Sequence, residues 1–298
     1  MKPLNVLSLC DGYSCGQIAL RECGVPVSQY FASEIKKSAI ATTELNFPDT
    51  IQLGDLRNWR EWELPKIDLL LFGSPCQDFS SINRSRHAYG LKGQKSSLFF
   101  QCVEIFHALM ENNPDLLFLC ENVKGSEVIG TILHTNVLSN DAITFCGCHR
   151  QRNFFTNINA DTYRDLFGVQ WWHSNILFPT RPSGEKIKID THNKFNEFTD
   201  YNFNKRKHKY GFNAIYPAIA KEAKMICLIR RRGNIIGANI VIFDEHTRRA
   251  LTLNEMRQCL CVPDWVEFPK YSLSTLQDLI GDGFNIEQIK FIFKHLTK

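Results

Sequence analysis

The sequence predicts an α/β fold in which a parallel sheet with crossover helices is joined to a smaller second domain. Three features predict it. Short apolar runs alternate with stretches of helical period, two of those runs are apolar throughout, and a polar motif follows nearly every run. The run "LNVLSL" reads as a strand, "CDGYSCG" as a glycine turn, and Gln17 to Glu22 as a helix ending near Gly24. A strand in "VSQYFAS", a helix in "KKSAIATTELN" and a short strand in "TIQLG" follow. "IDLLLFG" and "PDLLFLCENV" are the wholly apolar runs, the pattern of parallel strands covered on both faces. Between them "SSLFFQCVEIFHALMEN" places Leu98, Phe99, Cys102, Ile105, Phe106 and Leu109 at helical spacing. In such sheets ligands bind at the carboxyl ends of the strands. There "CDGYSCG", "SE", "GDL", "GSPCQ" and "CENV" converge.

After about Asn157 the alternation dissolves into a region rich in Pro, Asn and charge. We place a second domain at 156–247 and assign 1–155 and 248–298 to the first. The segment "LSTLQDLIGDGFNIEQIKFIFKHL" returns to helical periodicity.

The 298 residues are 44 % hydrophobic and 22 % charged, enough apolar content for a substantial core. No run approaches the roughly 20 apolar residues that span a bilayer, so a soluble, intracellular protein without membrane partners is expected. Eleven cysteines at irregular spacing point to reduced thiols serving as small hydrophobes. The pairs Cys146/Cys148 and Cys259/Cys261 have C-x-C rather than C-x2-C spacing, and no metal is expected. A monomer is expected, with oligomers left open.

Charge is concentrated. Residues 156–247 carry 14 Lys/Arg against 9 Asp/Glu, a balance of +5, which leaves 21 against 22, or −1, for the rest. The clusters "KRKHK" (Lys205, Arg206, Lys207) and "RRRGN" (Arg230, Arg231, Arg232), with aromatics near the first, suit either solvated loops or a polyanion such as nucleic acid.

The order of motifs resembles the C5-cytosine DNA methyltransferase family, nearest in wording to its de novo branch and to phage and bacterial relatives. The similarity runs along nearly the whole chain. It implies a Rossmann-like S-adenosyl-L-methionine-dependent methyltransferase domain with a smaller target-recognition domain. The expected partner is double-stranded DNA, in the cytoplasm of a bacterial cell or phage-infected host, where restriction-modification is one setting. In "SLCDGYSCG", Cys10, Asp11, Gly12, Tyr13, Cys15 and Gly16 fall on the family's cofactor loop, where glycine lets the backbone approach a ligand. Glu34 matches the acidic residue that takes the ribose hydroxyls. Asp55 matches the one facing the adenine amino group, with Leu56 packing the ring, and Pro75 and Leu98 complete that side.

"GSPCQ" followed by "ENV" carries the chemistry. By resemblance Cys76 attacks C6 of cytosine, a task that suits a thiolate, which is strongly nucleophilic near neutral pH and able to leave by elimination. Glu121 protonates or hydrogen-bonds N3, and Asn122 orders the turn. In "CHRQRNFFTNI" the H-R-x-R wording fits the de novo branch, so Arg152 holds O2 and Arg150 supports it or a phosphate. The polar stretch between Cys76 and Leu98 suits a lid over a flipped base, with Gln77, Ser80, Arg84 and Arg86 toward DNA and Lys92 and Lys95 as further phosphate contacts.

"RRALTLNEM" resembles the R-x-L-T motif that buttresses the recognition domain. "LIGDGFNI" resembles the last cofactor motif, with Asp282, Gly283 and Phe284 at the cofactor. Asp282 replaces the usual asparagine and is expected to repel the cofactor carboxylate. Cys10 replaces the usual phenylalanine and offers the adenine less apolar surface.

Thymidylate-synthase-like enzymes also add cysteine to pyrimidine C6 but lack such an N-terminal loop. An RNA methyltransferase of this fold would carry a C-F-T motif, which is absent. A catalytically silent DNA-binding paralogue is the rival of a different class. Such paralogues tend to lose the Cys, Glu or Arg, and all three stand here.

Overall fold

The structure, a computed structural model, describes residues 1–73, 96–123, 126–146, 148, 150–158 and 251–296, with the backbone of short strands at 189–190, 218–219, 224–225, 240–242 and 248–250. Five parallel strands come first: β1 (Leu4–Leu9), β2 (Val27–Ser33), β3 (Ile51–Gln52), β4 (Leu69–Phe72) and β5 (Leu117–Val123). Helices α1 (Cys15–Glu22), α2 (Lys37–Asn46) and α3 (Ser96–Asn112) lie between them in sequence. Beyond β5 come a short helix α4 (Val128–Ile132) and strands β6 (Val137–Asp141) and β7 (Gln151–Thr156). The sheet order is β3-β2-β1-β4-β5-β7-β6, with β7 antiparallel to both of its neighbours.

Strand alternation divides the core into two layers. Val6, Leu69, Leu71 and Leu119 face one side, where they join Ile18 of α1. Leu7, Leu9, Leu70, Phe72 and Phe118 face the other and meet Phe99, Cys102 and Phe106 of α3. This accounts for runs apolar at every position, since each side chain has a partner layer, and each full burial contributes roughly 1.5–3 kcal/mol.

The segment from Leu251 to Leu296 supplies more of the first layer. Helix α5 (Leu253–Leu260) starts with a capping box, in which Thr252 Oγ1 accepts from Glu255 N at 3.0 Å and Glu255 Oε2 accepts from Thr252 N at 2.9 Å. This gives the R-x-L-T stretch a local reason for its threonine. The final helical stretch is two helices, α6 (Leu273–Asp282) and α7 (Ile286–Phe293). Asn285 divides them because its side chain caps α7, accepting from Gln288 N at 3.1 Å.

The strands β8 (Ile189–Asp190), β9 (Ala218–Ile219), β10 (Lys224–Met225), β11 (Ile240–Ile242) and β12 (Arg248–Ala250) form a second sheet in the order β10-β9-β11-β12-β8. β12 pairs inside this sheet, just past the boundary expected at residue 247. No described helix is long and apolar enough to cross a membrane.

Candidate active site

Four carboxyl-end motifs meet at the β2-β1-β4-β5 edge of the large sheet. After β1 the chain turns sharply, with Cys10, Gly12 and Ser14 all at positive φ (54°, 62° and 60°). Only glycine adopts this region without strain, so Ser14 needs support. Its hydroxyl donates to Asp11 Oδ2 at 2.5 Å and lies 2.9 Å from Thr43 Oγ1, while Tyr30 OH donates to Asp11 Oδ1 at 2.8 Å. Asp11 therefore points into the protein as a brace for the loop. Burial pushes its carboxyl up to about 6, against the lowering effect of these hydrogen bonds.

Glu34, just past β2, ties two strand ends together. Its Oε2 accepts from Gly12 N and its Oε1 from Ile35 N and Lys36 N, each at 2.8 Å. Beside it Ile35 is 66 % exposed, an apolar surface unaccounted for by the fold. Gly16 sits where α1 crosses the sheet, and a Cβ there would come 2.5 Å from Leu71 Cδ1. Tyr13 and Cys15 are buried, and burial pushes the Cys15 thiol up to about 12.

The C-terminal motif forms an adjoining wall. Gly283 lies so close to the Tyr13 ring that any Cβ would collide with it, and a Cβ on Gly73 would be 2.6 Å from Phe284 Cζ. Asp282, expected to repel an anionic cofactor, instead pairs with Lys36 Nζ at 3.4 Å. A neighbouring ammonium offsets the charge on which that repulsion depended.

The two arginines of the H-R-x-R stretch do different jobs. Arg150 is 4 % exposed, and its guanidinium donates to the carbonyls of Gly281 at 3.1 Å and Gly283 at 2.6 Å. It thus clamps the end of α6. The reason is local. Arg150 precedes β7, anchored by its N–H to Asp141 Oδ1 at 2.7 Å, whereas Arg152 lies within the strand. Arg152 Nε meets Glu121 Oε1 at 2.6 Å, both side chains largely buried. Register produces the contact, since Val123 is opposite Arg152 and Glu121 opposite Phe154. The Glu121 carboxylate also borders Gly73: a Cβ there would lie 3.5 Å from Oε2. Asn122 accepts from Val123 N at 2.9 Å, consistent with a role in ordering the turn.

On the adenine side the side chains are engaged with one another. Asp55 accepts from Arg57 N at 3.0 Å and is gripped by the Arg57 guanidinium, whose hydrogen bond holds its carboxyl below the ordinary range. Leu56 is buried in the second core layer, and Leu98 packs partly buried against it. Cys10 turns toward Cys102, and this thiol contact together with burial pushes the Cys10 thiol up. Sequence reasoning missed Tyr30, Ile35 and Lys36. Only the last two carried a signal, through their adjacency to Glu34.

Pro75, Cys76, Gln77, Ser80, Arg84, Arg86, Lys92 and Lys95 lie outside the described residues, as do Lys205, Arg206, Lys207 and Arg230 to Arg232. Among the described residues no group of His, Cys, Asp and Glu is placed to hold a metal.

A paired Glu and Arg beside the strand end that leads into Pro-Cys-Gln can be set against known proteins. Residues 4–127 match the family model described as C-5 cytosine-specific DNA methylase. The methylase stretch is 38 % identical over 127 residues to the orphan methyltransferase M.SPRI of Bacillus phage SPR, covering 42 % of this chain and 27 % of that protein. It is 33 % identical over 126 residues to the type II methyltransferase M.NlaIV of Neisseria lactamica, covering 42 % and 28 %. The methylase match thus spans about a quarter of these relatives' own length. The whole fold is similar to a crystal structure of a DNMT2 mutant from Spodoptera frugiperda, at 17 % identity and a TM-score of 0.70 over 99 % of this chain and 100 % of that one. At that identity the likeness speaks for the methylase fold alone.

Proposed function

We propose that the protein is a DNA (cytosine-5-)-methyltransferase that moves a methyl group from S-adenosyl-L-methionine to C5 of a flipped cytosine in duplex DNA. The observation that carries this reading is the Glu121–Arg152 pair beside Gly73, since Cys76 follows three residues later in sequence. Held together, the Arg152 guanidinium donates to O2 and Glu121, once protonated, to N3 on one edge of the pyrimidine. Cys76 adds its sulfur to C6, which makes C5 nucleophilic, and later leaves by elimination once the C5 proton is lost. C5 and C6 are out of reach in a stacked base, so the cytosine must leave the helix.

The residues fit the cofactor. Glu34 has both oxygens fixed by backbone N–H groups and keeps lone pairs for ribose hydroxyls. Ile35 offers its exposed side chain to a flat apolar group. S-adenosyl-L-methionine, when bound, supplies the electrophilic methyl group. Residues 156–247, with their +5 balance, act as the recognition domain.

Methylation-sensitive sequencing of DNA from cells expressing the protein tests activity and target together. Cytosine-5 marks at one short sequence are expected, absent with Cys76→Ser. Unmarked DNA alongside methylated RNA from the same cells would overturn the DNA assignment, and equal marking by the serine variant would overturn Cys76 as nucleophile.

A further inference from the structure

The two C-x-C pairs, 113 residues apart between Cys146 and Cys259, come together in the fold. Cys146 Sγ donates to the Cys259 carbonyl at 3.3 Å, and its thiol neighbours that of Cys261, which it helps to hold protonated. Cys148 and Cys259 form a second thiol contact. Asn285 Nδ2 reaches across the group, 3.6 Å from Cys146 Sγ, 3.5 Å from Cys261 Sγ and 3.3 Å from the Cys259 carbonyl. Cys146, Cys148 and Cys259 are buried, whereas Cys261 is partly exposed as the left-handed cap of α5. All four are reduced.

Their position in the chain gives the cluster a purpose. The first core layer takes Ile158 and is taken up again at Leu251, so Cys146 and Cys148 precede the second sheet in sequence and Cys259 and Cys261 follow it. We propose that Cys146 and Cys261 are a dithiol that hydrogen peroxide converts into a disulfide, stapling the two chain passages that flank the second sheet. Cys261, the less buried partner, attacks the peroxide, giving a sulfenic acid and releasing one water. Cys146 then attacks the Cys261 sulfur, the S–S bond forms, and a second water leaves with the thiol proton. Two thiols are oxidised and one peroxide is reduced. The Cys261 thiol is held protonated by its contact with Cys146 and by burial, so the reaction is slow beside that of a low-pKa sensor thiol. The cross-link closes a loop of more than a hundred residues, the length for which the unfolded chain loses most freedom. It does not depend on methyl transfer.

The full-length protein is incubated with hydrogen peroxide, then alkylated and digested without reductant. A Cys146–Cys261 peptide pair lighter by two hydrogens is expected, reversed by dithiothreitol and absent in Cys261→Ser. Reduced Cys261→Ser folding like the parent at an equal melting temperature shows that loss of the pair is chemical. The oxidised parent should melt roughly 4–10 °C higher than the reduced one. The proposal is overturned if Cys261 ends as sulfinic acid or bound to added glutathione while Cys146 stays alkylatable. It is also overturned if the protein as purified carries one zinc per chain and resists cross-linking until the metal is removed.

Discussion

Arg152 Nε sits 2.6 Å from Glu121 Oε1, joining adjacent antiparallel strands inside a site where both side chains are mostly shielded from water. Removing one partner strands the other. Arg152→Ala or Glu121→Ala should cost about 3–5 kcal/mol of stability, and the double alanine variant should be less impaired than the sum of the two. Urea denaturation of the four proteins checks this. Glu121→Gln, which keeps the shape, should fold and lose about 10²–10⁴ in single-turnover methyl transfer.

Arg150 should matter for folding more than for DNA. Arg150→Ala leaves the carbonyls of Gly281 and Gly283 without their guanidinium, at a cost of about 1.5–3 kcal/mol for each charged hydrogen bond lost. A lowered denaturation midpoint with an unchanged salt dependence of DNA binding is expected. A flattened salt dependence would make Arg150 a phosphate contact after all.

The Lys36–Asp282 pair is partly exposed, with Asp282's side chain 40 % accessible. Asp282→Asn should therefore shift stability by no more than about 1 kcal/mol. Because Lys36 offsets the aspartate's charge, calorimetric titration of the variant with S-adenosyl-L-methionine should show no tightening. A clear gain would restore repulsion as the dominant effect.

Asp11 should give the protein a specific pH response. Its folded carboxyl is raised to about 6 by burial, above the unfolded value of about 3.9, so between these limits the folded state holds the extra proton. The associated stability is full below about pH 4 and is lost as pH rises through about 6, by about 3 kcal/mol at most. Asp11→Asn should remove this slope. Thermal unfolding of both proteins from pH 4 to 7 checks it, and parallel curves would remove Asp11 as the cause.

The basic cluster Lys205–Lys207, in the proposed recognition domain, leads to a prediction about salt. Replacing Lys205, Arg206 and Lys207 by alanine should weaken every duplex alike and flatten the log K against log salt slope by about 0.9 per lost phosphate contact. Changing Arg231 should instead relax choice at one base pair by roughly 1–3 kcal/mol if that cluster reads guanine. Isotherms on cognate and scrambled duplexes at several salt concentrations separate the two.

The parallel strands were legible because both faces are covered and the sequence is apolar at each position, as in "LLLF". β6 and β7 were not, since "VLSND" and "QRNFFT" mix polar and apolar residues without a long run, and β7 reads first as a motif. Glu34, Glu121 and Arg152 are picked out by motif order, and their side chains gather near the carboxyl ends of the strands. The grip of Arg150 on the end of α6 was not legible, because it depends on a strand that begins one residue later. The meeting of four cysteines was hidden for a different reason: no local pattern reports a contact across more than a hundred residues.

Helix α7 lies on α1, where Lys290 Nζ is 3.6 Å from Glu22 Oε2 and Cys23 Sγ donates to the Lys290 carbonyl at 3.6 Å. During synthesis the first helix therefore emerges from the ribosome without its cover, and waits for more than two hundred and sixty further residues before α7 arrives. The glycine turn ahead of it is in the same position, since the Gly283 segment that walls it in is made almost as late. The nascent chain can assemble its central strands early, but it stays open at this flank until residues 283–293 have been made.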